Sequence, residues 1–438
     1  MNKKFSEIIK LFNSGVNEVK PSTLIKSNVW LEENVLNIAS QDNTITKINL
    51  TKYENIIVIG AGKASAEMAS QTEKILCDKI SSGLIVTKYG FGVKLNRIKL
   101  IEANHPIPDE NGLKAAEQLV EICNNATEKD LIINLLSGGA SALIPLPSDG
   151  ISLTEKIIVT NQLLESGATI EELNIIRRHL SKIKGGGLLE YIYPAKVMSL
   201  ILSDVIGDKL DIIGSGITVP AKRDMKELWD IIEKHNFQNT FPKSVIAHLQ
   251  SEKSKDEQDN NNVKNVIIGN NIKALYKIKA DAEQAGYETK IINTSLEGEA
   301  KTVGKQIAEN AILFANEKAD KDKKYCFLNG GETTVNIKGN GKGGRNQELV
   351  LASAIVLEGS KGITILSGGT DGNDGPTNAA GAVCDGGTIQ LAEEKGLNAE
   401  DYLERNDSYN YFKAIDSLVI TGPTRTNVMD IQIVLIEP

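Results

Sequence analysis

The sequence predicts an α/β fold in two domains with a cleft between them. Apolar strands alternate with helical segments along most of the chain, as in a largely parallel sheet covered by helices. Four strands end in glycine-rich turns, and the carboxyl ends of parallel strands are where such sheets bind ligands. The tract 251–262 has no apolar residue, so we interpret it as a linker between domains at residues 1–250 and 263–438.

In the first domain we expect a helix at residues 5–20. Three later helices carry start signals: Asp109 is placed as an N-cap, and the pairs Ser152/Glu155 and Thr169/Glu172 have capping-box spacing. Strands are predicted at residues 56–59, 83–87, 99–103, 131–136 and 197–202. Beyond the linker, strands are predicted at residues 266–268, 290–292, 325–328, 363–366, around 418 and at 431–436, with helices at 272–285 and 299–315.

Composition limits the function classes. A net charge of −8 disfavours a general nucleic-acid binder, which needs a basic surface. No run of apolar residues is long enough to span a membrane, and residues 1–11 lack the apolar stretch of a signal peptide. The 4 cysteines are far apart and form no CxxC pair. We therefore expect reduced thiols in a cytoplasmic protein.

The strand at residues 56–59 runs into Gly60, Gly62 and Lys63. The P-loop pattern fails, because its first glycine would fall at Ile57. The dinucleotide fingerprint also fails, because Ser65 stands where its third glycine belongs, although an NADP-binding domain stays open as an alternative. A lysine in the first turn of a helix opposes the helix dipole, which favours an anion bound beside Lys63.

A second glycine-rich stretch spans residues 325–348. An apolar strand ends at two glycines and Glu332, and a glycine loop then leads to Arg345, which opens a helix with Asn346 and Glu348. Helix N–H groups attract anions, and the arginine fork suits phosphate or carboxylate. The segments Ser-Gly-Gly at 137–139 and 367–369 end two further strands in the same manner.

Carboxylates follow two of the strands. Asp204 comes directly after the strand at residues 197–202, and Asp371 and Asp374 lie in an Asp-Gly-Asn-Asp-Gly loop. Such carboxylates hold Mg²⁺ beside phosphate sites, whereas Asx turns are the structural alternative for the loop. The histidines at 105 and 179 have no serine or cysteine motif that would complete a hydrolase triad.

With these residues assembled, the chain resembles the type-2 glycerate kinases, whose C-terminal part is called the MOFRL domain. The first half of the resemblance is carried by VIGAGKASAEMA, EANHPIPDENG, LLSGGASALIPLP, SGATIEELNIIRRHLSKIKGGGL and LSDVIGDKLDIIGSG. The second half is carried by GGETTVNIKGNGKGGRNQE, SGGTDGNDGPTNAAGAVCD and TGPTRTNVMDIQ.

The resemblance implies a Rossmann-like N-terminal domain, a MOFRL-type C-terminal domain, and transfer of a phosphoryl group from ATP to D-glycerate with Mg²⁺. It implies catalytic roles for Lys63, Asp204 and Arg345, with Asp204 as either Mg²⁺ ligand or general base. Some relatives are called hydroxypyruvate reductases, which keeps NAD(P)H-dependent reduction as the alternative function. A homodimer is one expectation for the assembly. Substrate or nucleotide binding is implied for Gly60, Gly62, Ser137, Gly138, Gly139, Ser141, Glu332, Asn346, Glu348 and Asp371.

The chain departs from the family pattern in loops near strand ends. The departures are Phe91, Ala140, Ile206, Lys209, Ile217 and Arg425. The polar set of Lys63, Asp204, Glu332, Arg345 and Asp371 is intact, so an active kinase is expected.

Overall fold

The computed structural model describes residues 3–254 and 261–437. Backbone contacts divide the chain into two compact units. The N-terminal unit comprises Leu24–Ser203 and Asp208–Ile268, and the C-terminal unit comprises Met1–Thr23, Asp204–Gly207 and Gly269–Pro438. In the part of the chain described, no helix is long and apolar enough to cross a bilayer.

The strands, numbered in chain order, are β1 (Val29–Glu32), β2 (Val35–Ala39), β3 (Ile45–Asn49), β4 (Asn55–Ala61), β5 (Ile80–Lys88), β6 (Lys99–Ala103), β7 (Asp130–Leu136), β8 (Lys196–Leu202), β9 (Val263–Gly269), β10 (Tyr287–Leu296), β11 (Lys324–Gly331), β12 (Ile363–Gly369), β13 (Gly381–Asp385), β14 (Leu418–Val419) and β15 (Asp430–Ile436).

The helices are α1 (Lys3–Glu18), α2 (Pro21–Asn28), α3 (Ser65–Leu76), α4 (Glu110–Asn124), α5 (Ala140–Leu143), α6 (Leu153–Glu165), α7 (Ile170–His179), α8 (Gly187–Ile192), α9 (Met225–Lys234), α10 (Lys243–Ser251), α11 (Asn271–Gln284), α12 (Ala300–Glu317), α13 (Arg345–Leu357), α14 (Thr388–Glu393), α15 (Ala399–Glu404) and α16 (Ser408–Ala414).

The N-terminal unit is built on a six-stranded sheet in the order β6-β5-β4-β7-β8-β9. The pairs β6/β5, β5/β4, β4/β7 and β7/β8 are all parallel, which confirms the predicted mostly parallel sheet. Every residue of β7 is buried, including Asp130 and Asn134, as is usual for a central strand of a parallel sheet. The predicted capping boxes of α6 and α7 are both formed, and Asp109 caps α4.

The C-terminal unit holds a second six-stranded sheet in the order β10-β11-β15-β12-β13-β14. Only the β10/β11 pair is parallel among the registers described, and the four pairs from β11 to β14 are antiparallel. The prediction of a largely parallel sheet was therefore wrong for this unit. The cause is β15, the last strand of the chain, which inserts antiparallel between β11 and β12.

The predicted domain limits differ from these units at both ends. β9 is an edge strand of the N-terminal sheet, although residues 263–269 had been given to the second domain. Helix α1 belongs to the C-terminal unit, where it packs on α11 and β12. Of the predicted linker, residues 255–260 lie outside the described residues. Ser251 ends α10, and Glu252 accepts a hydrogen bond from Arg223 (3.1 Å) and pairs with His179 (2.6 Å), so the first two linker residues continue the N-terminal unit.

Candidate active site

In the N-terminal unit, the glycine-rich ends of β4 and β7 are joined by hydrogen bonds. The Lys63 N–H donates to the Gly138 carbonyl (2.9 Å), and the Ala64 N–H donates to the Ser137 hydroxyl (3.0 Å). Gly62 has a φ of +137°, and a Cβ at this position would collide with Ser137. The structure thus brings the predicted residues of these two loops together, and Gly62 is needed because the two strand ends lie in contact.

The side chain of Lys63 lies beside His105 in the same unit. A Cβ on Gly139 would be 2.9 Å from His105 Cδ2 and 3.4 Å from Lys63 Cγ. Burial, followed by the charges of Lys63 and Lys88, lowers the pKa of His105 to about 4. The imidazole is therefore neutral near pH 7, and the positive charge at this end of the sheet comes from the lysines.

Ser141 lies among basic side chains of the N-terminal unit. Its hydroxyl oxygen is 2.6 Å from Lys184 Nζ, 3.0 Å from Arg177 Nη2 and 3.1 Å from the Ser215 hydroxyl. Lys184 is 1% exposed. Sequence reasoning predicted Ser141 as a binding residue but did not single out Arg177 or Lys184.

Asp204 belongs to the C-terminal unit, where its Oδ2 accepts a hydrogen bond of 3.3 Å from the Asn427 amide. Within residues 3–254 and 261–437, no three His, Cys, Asp or Glu side chains are grouped to hold a metal. Mg²⁺ commonly takes one or two protein carboxylates and completes its shell with water and phosphate oxygens. A single carboxylate such as Asp204 suits that mode of binding.

Arg345 is held by two carboxylates of its own unit. Its Nε and Nη2 donate to the two oxygens of Asp430, at 2.6 and 3.0 Å, and its Nη1 donates to Glu332 at 2.5 Å. Asp430 has a side chain that is 1% exposed, whereas that of Arg345 is 33% exposed. The fork predicted for a reactant anion is therefore used on Asp430, which sequence reasoning missed. Two N–H groups of Arg345 remain for another acceptor.

The start of α13 is occupied by a carboxylate from the chain itself. The N–H groups of Asn346 (3.0 Å) and Gln347 (2.8 Å) donate to Asp374, as does the Gln347 side chain (2.8 Å). Burial raises the pKa of Asp374 to about 6, and these N–H donors oppose that rise. The anion predicted at this helix start is thus Asp374, while Asp371 forms an Asx turn with the N–H of Asn373 (3.0 Å).

Two further predicted ligand-binding residues are committed to partners in the chain. Asn346 is 1% exposed and accepts from the Ser367 hydroxyl at 2.6 Å. Glu348 is 3% exposed and accepts from the Asn406 amide at 2.9 Å. Burial raises the pKa of Glu348. The positions of both side chains indicate that they fix the loops around α13.

A cavity of about 590 Å³ lies beside these residues in the C-terminal unit. Its lining includes Glu332, Arg345, Glu348, Asp371 and Thr333. The Thr333 hydroxyl is buried and has no hydrogen-bond partner in the structure. A buried polar atom without a partner is what a bound ligand or water would satisfy.

The chain matches two family models: "Domain of unknown function (DUF4147)" over residues 7–250 and "MOFRL family" over residues 325–430. It is 42% identical to D-glycerate 2-kinase of Thermotoga maritima, over 90% of this chain and 93% of that protein. The crystal structure of glycerate kinase from Thermotoga maritima superposes with a TM-score of 0.87 at 38% identity and covers both chains fully. A putative hydroxypyruvate reductase of Agrobacterium vitis is 39% identical over 87% of this chain and 99% of its own. The chain belongs to the glycerate kinase family that combines these two domains.

Proposed function

We propose that the chain is a glycerate 2-kinase, which transfers the γ-phosphoryl group of ATP to the 2-hydroxyl group of D-glycerate. The observation that carries this proposal is the 42% identity with a D-glycerate 2-kinase over 90% of the chain. In the reaction, the hydroxyl oxygen forms a bond to phosphorus, the bond to the ADP oxygen breaks, and the hydroxyl proton is lost. Such chemistry depends on positioning and on neutralising phosphate charge.

Lys63 and the paired glycine loops supply positive charge and N–H groups for phosphate oxygens in this proposal. Lys63 is partly exposed and lies where Lys88 also contributes positive charge. A bound polyphosphate would be attracted by both positive charges.

Asp204 is proposed either to accept the proton of the attacking hydroxyl group or to hold Mg²⁺ through its carboxylate. Mg²⁺ would neutralise phosphate charge when bound with ATP. The Asn427 amide orients one oxygen of Asp204. Arg345, fixed by Asp430 and Glu332, would direct its remaining N–H groups at a reactant anion.

The reductase alternative receives no support from the loop after β4. Ser65 occupies the place of the third fingerprint glycine, and its hydroxyl donates to the Leu135 carbonyl at 2.8 Å. That glycine normally allows the helix to pack closely on the strand. Here the Ser65 side chain stands in that place and binds β7.

The test is to incubate the protein with D-glycerate, ATP and Mg²⁺ and to assay ADP together with the phosphoglycerate isomer. Coupling to enolase reports 2-phosphoglycerate, which we expect as the product. Lys63→Met should lower turnover by roughly 10²-fold or more, if it acts as other preorganised charge stabilisers do. The matched control is Lys74→Met, an exposed lysine on α3, the helix that follows Lys63. NADPH oxidation by hydroxypyruvate without ADP formation would replace the kinase with the reductase.

The homodimer and the cytoplasmic location stay predictions. A molecular mass measured by light scattering tests the homodimer.

A further inference from the structure

Three cationic side chains of the N-terminal unit lie close together without a carboxylate. Lys184 and Arg177 both contact the Ser141 hydroxyl, and Lys156 donates to the Leu146 carbonyl at 3.3 Å. Lys184 and Lys156 are 1% and 6% exposed. Among the described residues, no ion pair involves any of the three, whereas nearby Lys182 pairs with Asp149 at 2.5 Å.

Around Ser141, the basic side chains offer more hydrogen-bond donors than the described chain has acceptors for. A lysine carries three N–H donors and an arginine five, but a hydroxyl oxygen has only two lone pairs. Ser141 already lies within hydrogen-bond distance of Lys184, Arg177 and Ser215. The two other N–H groups of Lys184 are buried and have no partner in the described chain. An oxyanion, with several lone pairs on each oxygen, is the acceptor that such a group lacks.

The backbone holds these side chains in place. The N–H of Gly185 donates to the Ser215 carbonyl (2.9 Å), and that of Gly186 donates to the Gly216 carbonyl (2.7 Å). Ser215 has a φ of +60°, a left-handed conformation that is costly for a residue other than glycine. Backbone strain of this kind is concentrated at functional sites.

Electrostatics point in the same direction. Burial lowers the pKa of Lys184 well below its ordinary value, and the charges of Arg177 and Lys156 add to that effect. Among the residues that the structure describes, no acidic side chain lies close enough to raise the pKa of Lys184 in the opposite direction. Buried charges without partners are unfavourable, so a bound anion would stabilise the protonated form of this lysine.

We propose that Ser141, Arg177 and Lys184 form a binding site for an oxyanion of the reactants, either the carboxylate of the hydroxy acid or a phosphate of the nucleotide. This proposal rests on the kinase function proposed above and gives it an anion site in the N-terminal unit. Arg177 and Ser141 are partly exposed, so the site is open to solvent on the side where they lie.

The test measures anion binding directly, by the shift in melting temperature of the intact protein at constant ionic strength. Inorganic phosphate, D-glycerate and a non-hydrolysable ATP analogue are titrated separately against wild type, Lys184→Met, Arg177→Gln and the control Lys182→Met. Each site variant removes a charged hydrogen bond, so its dissociation constant should rise roughly tenfold or more. The control should stay within about twofold of wild type, because its surface ion pair contributes little.

The three separate titrations distinguish a substrate carboxylate from a nucleotide phosphate as the bound anion. Loss of the glycerate shift alone assigns the site to the substrate carboxylate, and loss of the phosphate and nucleotide shifts assigns it to a phosphate. Equal dissociation constants in wild type and both site variants, for every anion, overturn the proposal. If Lys184→Met does not fold, the partly exposed Arg177→Gln carries the same comparison.

Failure of this site can be told apart from failure of the proposed function. A wild type that binds anions through Lys184 but forms no phosphoglycerate would retain the site and reject the kinase. Variants with normal anion binding and normal turnover would reject the site and retain the kinase. In buffer free of multivalent anions, Lys184→Met should be at least as stable as wild type, since it removes a buried charge that lacks a partner.

Discussion

At the scale of single residues, the side chains nominated from the sequence were found in contact with partners that the sequence did not indicate. Arg345 binds Asp430, which lies 85 residues away along the chain. Lys184 binds Ser141 across 43 residues. Motifs reveal residue types suited to a chemistry, but pairing between distant segments depends on how the strands are ordered in the sheet. The sequence therefore predicted Arg345 and Ser141 as site residues and missed Asp430, Arg177 and Lys184.

The pairing of Arg345 with Asp430 predicts a stability effect. Arg345→Met leaves a buried carboxylate without its cation and should lower the free energy of unfolding by about 3–5 kcal/mol. Arg345→Lys keeps the charge but loses the fork, so its loss should be smaller. Lys342→Met is the control, because Lys342 only lies 4.5 Å from the Tyr409 ring centroid and is exposed. Urea unfolding measures all three. Full stability in Arg345→Met with lost turnover would instead assign the side chain to ligand binding alone.

Lys156 predicts an unusual dependence of stability on pH. Burial and the charge of Arg177 lower its pKa to about 7, below the unfolded value of about 10.4. Between these two values the unfolded chain binds more protons than the folded protein, so the free energy of unfolding rises with pH. Below the pKa of the folded state, Lys156 is charged in both states, and folding bears the full cost of burying that charge. As the pH rises to the pKa of the unfolded state, this cost disappears, because the lysine is then neutral in both states. Lys156→Met removes that cost.

The variant should therefore exceed wild type in stability by roughly 1–4 kcal/mol near pH 6, and by less near pH 9. The Leu146 carbonyl keeps a partner in the variant, because the Ser181 hydroxyl also donates to it at 3.0 Å. Lys129→Met is the control, since its exposed ion pair with Glu54 should contribute little to stability. Denaturant unfolding at both pH values measures the difference. A Lys156→Met protein less stable than wild type near pH 6 would show that packing or a hydrogen bond outweighs the charge.

At the scale of elements, the strength of the sequence signal decided what could be predicted. The strands β4, β5 and β7 each contain a mostly apolar, buried run and were predicted with only their ends shortened. The antiparallel sheet β1–β2–β3 was missed. β3 alternates between exposed and half-buried residues and has no fully buried face, so its periodicity is weak. The direction of β15 could not be predicted, because a single apolar strand carries no information about its neighbours.

The cap of α13 is an element-scale feature that can be tested. Asp374 accepts from the N–H groups of Asn346 and Gln347 and from the Gln347 side chain. Asp374→Asn replaces one acceptor oxygen with a donor that faces other donors, so the free energy of unfolding should fall by about 1–3 kcal/mol. Asp371→Asn is the matched control, because asparagine also forms the Asx turn that Asp371 makes. Urea unfolding that shows equal losses in both variants would mean that the cap contributes nothing specific.

At the scale of the whole molecule, the compact units do not follow the order of the sequence. The C-terminal unit takes its first helix from the start of the chain, and the Val19 carbonyl accepts a 2.6 Å hydrogen bond from the Thr426 hydroxyl, 407 residues away. The N-terminal unit takes its edge strand β9 from beyond the polar tract. Composition predicted that tract as a domain boundary, but Glu252 within it pairs with His179, and the strand after it joins the N-terminal sheet.

Because α1 belongs to the C-terminal unit, a destabilising substitution in α1 should affect that unit. Phe12 is fully buried, and its ring lies against Gly368 of β12. Phe12→Ala should cost about 3–5 kcal/mol through the cavity that it leaves. If the units unfold separately, amide exchange should accelerate in β12 and α11 and stay unchanged in β4 and β7.

The converse variant is Phe237→Ala in the N-terminal unit, where Phe237 stacks on Phe241 with ring centroids 4.5 Å apart. It creates a comparable cavity. The faster amide exchange should be confined to α6, α7, α9 and α10, whose apolar side chains pack in the same cluster. Hydrogen exchange followed by mass spectrometry compares both variants with wild type, peptide by peptide. A domain order that followed the sequence would place the effect of Phe12→Ala in β4 and β7 instead. Equal acceleration in both units from either variant would mean that the chain unfolds as one cooperative body.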